Sequence, residues 1–282
     1  MAVFTKRHEI SAAVANLKNS GNSVGFVPTM GALHSGHASL IEFALKQVDK
    51  VVVSIYVNPT QFNNSGDLDA YPRDLDSDVL FLEPFGEKII IYAPDSDQVY
   101  GENVKSFDYN FGGLENEMEG KFRPGHFEGV GTVLKLLFES VNPDKAFFGE
   151  KDFQQLQIVR KLAELEKLPV EIIGVPVHRA EDGLAESSRN RRLNAAQRAA
   201  APFIYKVLQQ VNKDFQHKSI EHINHWVADA FKDQPELELE YFEITDSKTL
   251  KTAKKPSKND NYRAFIAVFA GEIRLIDNIP LI

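Results

Sequence analysis

The chain has 282 residues, no cysteine and a formal net charge of −8 at pH 7. The lack of cysteine excludes disulfides, thiolate zinc sites and a cysteine nucleophile, and the negative charge argues against a broad nucleic-acid-binding surface. No apolar run approaches the ~20 residues that a membrane span needs, and the N-terminus lacks the layout of a signal peptide. We therefore expect a cytoplasmic protein that binds neither nucleic acid nor membrane.

The first part of the chain alternates helical and strand patterns. Residues 8–19 predict a helix and residues 24–27 the first strand; a helical pattern then begins near Leu40, and residues 50–57 form a nearly continuous β-branched run. Such a run suits a strand of a parallel sheet that is covered on both faces. Strand, helix and strand at this spacing predict a βαβ unit.

The turn inside this unit carries Pro-Thr-Met-Gly-Ala-Leu-His-Ser-Gly-His at residues 28–37. Free N–H groups and the helix dipole make the start of a helix favourable for anions, and Gly36 lets the backbone approach a ligand closely. His34 and His37 can then donate hydrogen bonds to phosphoryl oxygens. Without a ligand, the same residues would be two polar side chains at a helix N-terminus.

Asn-Pro-Thr-Gln-Phe at residues 58–62 directly follows the second strand. Open α/β sheets bind ligands at the carboxyl ends of their strands, and the Gln61 amide could hold a hydroxyl and a carboxylate together. Taken alone, this segment fits a cap or a turn equally well. The acidic residues 63–78 that follow could serve Mg²⁺, or they could cap the next helix and remain solvated.

Residues 88–94 predict another buried strand and residues 132–141 an apolar helix. Arg123 and His126 lie before this helix and could either contact substrate or serve packing and turn roles. The pair Gly129 and Gly131 is no dinucleotide fingerprint, because a third glycine and a preceding strand are lacking, and the chain has no Walker A sequence.

A second informative block covers residues 144–160, where an apolar strand end is followed by Gly149 and a charged helix start. Lys151 could neutralise phosphate, Asp152 could accept from a ribose hydroxyl, and Gln155 lies one turn further along. The alternative is an exposed helix start in which Glu150 and Asp152 complement the dipole. Residues 170–177 predict the last strand of the sheet, and we place a domain boundary near residue 177.

The composition changes after this boundary to a polar loop that contains Glu186, Ser187, Ser188 and Arg189. Two hydroxyls and a guanidinium can clamp a triphosphate.

Helices are predicted over 195–214 and 220–232, and strands around 238–244, 263–268 and 274–278. Two histidines lie off the apolar stripe of the second helix without an acidic partner, so we predict surface residues rather than metal ligands: His222 and His225. The basic tract 251–258 predicts a solvated hairpin loop.

Four blocks occur in the order found in one family: Pro-Thr-Met-Gly-Ala-Leu-His-Ser-Gly-His, Val-Asn-Pro-Thr-Gln-Phe, Phe-Gly-Glu-Lys-Asp-Phe-Gln-Gln and Ser-Ser-Arg-Asn. They resemble the His-x-Gly-His nucleotidyltransferase superfamily and, within it, the pantoate–β-alanine ligase (pantothenate synthetase) family. The resemblance extends over essentially the whole chain and includes Arg-Leu-Ile-Asp-Asn near its end. It implies an α/β protein with a Rossmann-like parallel-sheet N-terminal domain (1–177), a smaller α/β C-terminal lid domain (178–282) and a homodimer.

The implied reaction converts ATP, pantoate and β-alanine into pantothenate, AMP and pyrophosphate, with Mg²⁺ whose ligands stay unassigned. Carried over by position, His34, His37 and Lys151 would stabilise charge, and Gln61 and Gln155 would hold pantoate. The resemblance places a larger set of residues around ATP: Met30, Gly31, Ala32, Leu33, His34, Ser35, Gly36, His37, Gly149, Glu150, Lys151, Asp152, His178, Glu186, Ser187, Ser188 and Arg189.

Two of these positions depart from the family, which usually has apolar residues where this chain has His178 and Glu186. Either both side chains point to solvent and only their backbones contact ATP, or they pair across the mouth of the pocket. Two rival functions remain: a plain nucleotidyltransferase that keeps the adenylyl group in its product, and an inactive nucleotide-binding scaffold. The intact His34, His37 and Lys151 argue against the scaffold.

Overall fold

The computed structural model describes residues 1–62, 65–69, 71–255 and 260–281. The chain divides into two compact units. The first comprises Met1–Glu150 and Gln154–Pro176, and the second comprises Lys151–Phe153 and Val177–Ile282. The three residues Lys151–Phe153 thus pack with the second unit although they follow a strand of the first.

A six-stranded parallel sheet forms the centre of the first unit, in the order β1-β4-β3-β2-β5-β6. Its central strands are buried because their Val and Ile side chains are covered on both faces. The bounds are Ala2–Phe4 (β1), Val24–Thr29 (β2), Lys50–Ile55 (β3), Ile89–Tyr92 (β4), Lys145–Gly149 (β5) and Glu171–Val175 (β6). The edge strand β1 was not predicted, since three residues are too few to show a periodic pattern.

Eight helices surround this sheet within the described residues. They are Arg7–Asn19 (α1), Ser35–Ala44 (α2), Ser65–Asp69 (α3), Leu75–Leu82 (α4), Ser96–Tyr100 (α5), Glu119–Phe122 (α6), His126–Val141 (α7) and Phe153–Leu165 (α8). Helix α7 begins six residues before the predicted start at residue 132. Gly129 lies near the start of α7, where a Cβ would lie 2.4 Å from the carbonyl oxygen of Thr60. The helix can therefore pack against the backbone of Thr60 only with glycine at this position.

The order of the strands defines where the chain reverses direction across the sheet. From β2 the chain proceeds to β3 and then β4 on one side, whereas β5 pairs with β2 on the other side. Ligands of open parallel sheets bind outside the carboxyl ends of the strands at such a switch point. The segments that follow β2 and β5 are therefore the first place to look for a site.

The second unit contains a three-stranded antiparallel sheet in the order β7-β8-β9. Its strands are Glu238–Asp246 (β7), Tyr262–Ala270 (β8) and Ile273–Leu281 (β9), and its helices are Ala195–Ala200 (α9), Phe203–Asp214 (α10) and Ile220–Lys232 (α11). Their apolar faces share one core, which includes Val207, Val227 and Ile266. The helix predicted over 195–214 is two helices, because Pro202 has no N–H to continue the first of them.

Five short 3₁₀ segments complete the described structure: Pro59–Gln61, Glu83–Lys88, Leu114–Asn116, Glu150–Asp152 and Ser188–Arg192. The two sheets confirm the predicted α/β class. Parts of the acidic stretch 63–78 and of the basic tract 251–258 lie outside the described residues. Over the ranges that are described, no helix is long and apolar enough to cross a membrane.

Candidate active site

The turn after β2 is shaped by two consecutive residues with left-handed backbone, Gly31 (φ 79°) and Ala32 (φ 51°). A Cβ on residue 31 would lie 2.7 Å from the carboxylate oxygen Oδ2 of Asp78, so glycine is needed there for space as well as for conformation. The positive φ of Ala32 is unusual for a residue with a side chain. Other contacts must therefore hold this turn in place.

Asp78 supplies such contacts from helix α4. Its carboxylate accepts hydrogen bonds from the backbone N–H of Ala32 at 3.1 Å and of Leu33 at 2.7 Å, and it is only 4% exposed. Asp74, in the same acidic stretch, caps α4 by accepting from the N–H of Ser77 at 3.0 Å. One of the two alternatives for these carboxylates, helix capping, thus holds for Asp74, whereas the role of Asp78 in the turn was not predicted.

His34 and His37 close the start of helix α2 in a reciprocal capping arrangement. The Nδ1 atom of His34 accepts from the N–H of Gly36 at 3.1 Å, and the Nδ1 atom of His37 accepts from the N–H of His34 at 3.3 Å. The ring centroids lie 4.1 Å apart. The two side chains predicted to act together are therefore neighbours, and the spacing of three residues is explained by the cap.

This arrangement assigns the tautomer of both rings. A ring nitrogen that accepts a hydrogen bond carries no proton, so each neutral imidazole has its proton on Nε2. Both histidines can therefore donate through Nε2 to an anionic oxygen at the helix start, where the dipole also favours negative charge.

The turn after β3 is held by a network around the buried Asn58. The Oδ1 atom of Asn58 accepts from the hydroxyl of Tyr100 at 2.6 Å and from that of Thr60 at 3.2 Å, and its Nδ2 donates to the carbonyl of Gly129 at 3.2 Å. Burial raises the pKa of Tyr100 to about 12, so its hydroxyl stays protonated as the donor. The network fixes the backbone that leads to Gln61.

Gln61 itself is held through its main chain. Its carbonyl oxygen lies 3.2 Å from Nη2 of Arg123 and 3.0 Å from Nδ1 of His126. Packing, one of the two alternatives for Arg123 and His126, is thus present.

The segment after β5 is shared between the units. Gly149, Glu150 and Gln155 belong to the first unit, whereas Lys151 and Asp152 belong to the second. The Lys151 side chain is 17% exposed, and its ammonium lies 3.9 Å from a carboxylate oxygen of Asp152. Because that distance is long for an ion pair, the ammonium can instead bind an anion of higher charge.

The loop over residues 178–189 lies in the second unit. Ser187 caps the 3₁₀ segment Ser188–Arg192 by accepting from the N–H of Arg189 at 3.3 Å. The N–H of Glu186 donates to the carbonyl of His178 at 3.0 Å. His178 is exposed, and no side-chain ion pair between His178 and Glu186 is recorded in the described structure. Glu186 is half-buried, and whether the two side chains point to solvent or pair across the mouth of the pocket stays a prediction.

No group of three or more acidic, histidine or cysteine side chains within the described ranges could hold a metal ion. Asp78 and Asp74 are already engaged by backbone N–H groups. His222 and His225 are both exposed, in keeping with their prediction as surface residues. The described residues thus provide no ready-made magnesium site.

The chain is similar to known proteins along its whole length. The model of the family described as Pantoate-beta-alanine ligase matches residues 2–280. Pantothenate synthetase from Christiangramia forsetii is 54% identical over 281 residues, covering 100% of this chain and 99% of that protein. The enzyme of that name from Flavobacterium psychrophilum is 51% identical over 281 residues, covering 100% of both chains.

Two solved structures share the fold. Pantothenate synthetase from Thermus thermophilus has a TM-score of 0.89 at 38% identity and covers 99% of each chain. Pantoate-beta-alanine ligase from Francisella tularensis, complexed with beta-gamma ATP and beta-alanine, has a TM-score of 0.80 at 32% identity and covers 99% of this chain and 97% of that one. The chain therefore belongs to the pantoate–β-alanine ligase family, as its four sequence blocks predict.

Proposed function

We propose that the protein condenses pantoate with β-alanine to pantothenate at the expense of ATP, through a pantoyl adenylate, and releases AMP and pyrophosphate. Family membership supports the ligation of pantoate and β-alanine. The use of ATP is supported by the Francisella tularensis relative, which was solved with beta-gamma ATP and beta-alanine. The reaction serves pantothenate and coenzyme A biosynthesis.

One observation carries the ATP-dependent part of the proposal. His34 and His37 stand at the start of α2 beside the switch point, and their Nδ1 atoms are occupied as acceptors. With the ring protons on Nε2, the histidines act as donors to phosphoryl oxygens rather than as bases. This is the chemistry that a nucleotidyl transfer needs.

In the first step, a carboxylate oxygen of pantoate attacks the α-phosphorus of ATP, and the bond to the departing pyrophosphate breaks. No side chain has to act as a covalent nucleophile, because the substrate carboxylate is one. Catalysis then consists of positioning and of stabilising the charge that builds up on the phosphates. We assign this stabilisation to His34, His37 and Lys151.

The remaining nucleotide contacts are proposed on the family pattern. The backbone turn around Gly31 and Ala32 and the hydroxyl and guanidinium groups of the second unit would bind ATP. The proposed set is Met30, Gly31, Ala32, Leu33, His34, Ser35, Gly36, His37, Gly149, Glu150, Lys151, Asp152, His178, Glu186, Ser187, Ser188 and Arg189. Ser188 and Arg189 are assigned to the triphosphate, since arginine donates to phosphate in a bidentate manner.

Gln61 and Gln155 are proposed to hold pantoate. The backbone of Gln61 is fixed by Asn58 and the Arg123–His126 pair, which prepares its amide to bind the polar groups of one substrate. In the second step, the amine of β-alanine attacks the carbonyl of the adenylate, loses a proton and expels AMP. Exclusion of water protects the adenylate until then.

Mg²⁺ is proposed as a companion of ATP. Proteins usually bind this ion through one or two carboxylates together with substrate phosphates, and the described residues hold no preformed group of ligands. We therefore assign it no protein ligand and no step.

The stoichiometry of the products tests the proposal against its main rival. Purified enzyme with ATP, Mg²⁺, pantoate and β-alanine should form AMP, pyrophosphate and pantothenate in equal amounts, measured by ion-exchange chromatography. A plain nucleotidyltransferase would instead keep the adenylyl group in its product and release no AMP. An inactive scaffold would release neither AMP nor pyrophosphate.

The family pattern also implies a cytoplasmic homodimer. Light scattering during size-exclusion chromatography would test the dimer, and cell fractionation would test the location.

A further inference from the structure

The second unit buries an ion pair between Asp277 and Arg179. Asp277 is 5% exposed, and both of its carboxylate oxygens accept from the guanidinium of Arg179, at 2.6 and 2.9 Å. The guanidinium also lies 3.7 Å from the centre of the Tyr205 ring. Buried ion pairs contribute little net stability because desolvation offsets the attraction. The main consequence of the pair is therefore the orientation that it gives to the groups around it.

Asn278 connects the ion pair to the main chain of Lys151 through hydrogen bonds. Its backbone N–H donates to Asp277 at 2.8 Å, and its side-chain Oδ1 accepts from the guanidinium of Arg263, which itself stacks 3.8 Å from the Phe153 ring centre. Since arginine only donates, the amide orientation is determined. The Nδ2 atom then donates to the carbonyl oxygen of Lys151 at 2.7 Å.

The same guanidinium of Arg179 also holds the turn before the polar loop. Its Nη1 donates to the carbonyl of Gly183 at 3.1 Å, and Arg179 pairs with Ala185 in an antiparallel bridge. This turn leads directly into Glu186 and Ser187. The buried carboxylate of Asp277 thus orients the groups that contact two segments far apart along the chain, one at Lys151 and one at Gly183.

We propose that Asp277 and Asn278 are positioning residues, which hold the main chain of Lys151 and, through Arg179, the turn that leads into residues 187–189. In this way, two phosphate-directed segments keep a defined geometry within one unit. The inference rests on the proposed function, because it treats Lys151, Ser188 and Arg189 as groups that act on the phosphates of ATP.

A double-mutant cycle tests whether Asn278 acts through Lys151. The variants are Asn278→Leu, Lys151→Ala and the two changes together, and kcat and KM for ATP are measured at saturating pantoate and β-alanine. Small displacements of a catalytic group cost up to about 10²-fold, so Asn278→Leu should lower kcat about 10- to 100-fold. In the Lys151→Ala background it should change kcat by less than about twofold. An equal loss in both backgrounds would overturn the proposal.

Val268→Ala provides the matched control. The Val268 side chain belongs to the apolar core of the same unit and makes no hydrogen bond, so the change opens a cavity without removing a polar contact of the cluster. Its thermal midpoint is compared with that of Asn278→Leu. We expect Val268→Ala to retain kcat within about threefold at a temperature where both proteins are folded. If it lowers kcat as much as Asn278→Leu does, the cluster is merely structural and the proposal fails.

A readout without substrate separates this inference from the proposed function. Amide hydrogen exchange over residues 150–154 should be faster in Asn278→Leu than in wild type and unchanged in Val268→Ala. If the wild type forms no AMP but the two variants show the expected exchange, the proposed function alone is refuted. If exchange over residues 150–154 is the same in Asn278→Leu as in wild type, the positioning role is refuted. If Asn278→Leu does not fold, Asn278→Ser takes its place, with the same expected pattern and the same contradicting result.

Discussion

The two segments to which we assign phosphate chemistry are built in different ways. The helix start with His34 and His37 is capped by its own neighbours, with hydrogen bonds that span two or three residues, although the turn before it is also held by Asp78 from helix α4. The segment with Lys151 is held by Asn278, 127 residues further along the chain. A locally built site is visible in a sequence as a motif. In a segment held by distant residues, the sequence shows only the functional residues themselves. The residues that position them cannot be recognised from their spacing.

Loss of a phosphate-directed donor from either segment should have the largest effect. His37→Ala should lower kcat about 10²–10³-fold, as for other lost transition-state donors, and Lys151→Ala should do so similarly. His37→Gln should retain more activity than His37→Asn, because only the longer amide reaches the position of Nε2. Steady-state kinetics at varied ATP check both expectations. Equal activity of the Asn and Gln variants, or a loss confined to KM, would contradict the assigned tautomer and role.

Loss of the carboxylate that holds the turn from helix α4 should have an intermediate effect. Asp78→Ala leaves the N–H groups of Ala32 and Leu33 without their acceptor, which should cost about 1–3 kcal/mol of unfolding free energy. We expect kcat to fall about 10-fold through the displaced turn. Urea denaturation and kinetics measure the two effects. Asp74→Ala, which removes only an exposed cap, is the control and should keep kcat. A normal kcat in Asp78→Ala would show that the turn does not need this carboxylate.

The smallest effect is expected at the two positions that depart from the family. His178→Met and Glu186→Leu should each change the KM for ATP by less than about twofold, and their effects should add within about 0.5 kcal/mol. The reason is that their backbones are bonded while the His178 side chain is exposed. Titrations of ATP at low and high salt provide the measurement. If His178→Met raises KM at low salt and the double variant restores it, the side chains pair after all.

The contrast between the segments also explains what the sequence could predict. The α/β class and most strands followed from periodicity, because residues such as Val51, Val52 and Val53 are buried on both faces. The three-residue strand β1 was missed, since it depends on pairing with β4 rather than on pattern. The break at Pro202 was missed although a proline inside a helical pattern is a signal that the sequence carries.

In the candidate site, the two histidines were predicted as a pair because a cap is a local structure. The holding role of Asp78 was not, since its stretch of acidic residues looks like any solvated helix start until α4 packs against the turn. The contact of Asn278 with Lys151 was likewise not predicted, because hydrogen bonds between distant segments leave no spacing to read. The Arg-Leu-Ile-Asp-Asn block indicated the family but not this contact.

Isotope exchange between pyrophosphate and ATP tests the central claim most directly. Enzyme with ATP, Mg²⁺ and pantoate, without β-alanine, is incubated with labelled pyrophosphate, and the label in ATP is measured. If the acid is activated before the amine joins, label should enter ATP under these conditions, and omission of pantoate should abolish it. Exchange that requires β-alanine, or no exchange at all in enzyme that forms pantothenate, would contradict the pantoyl-adenylate mechanism.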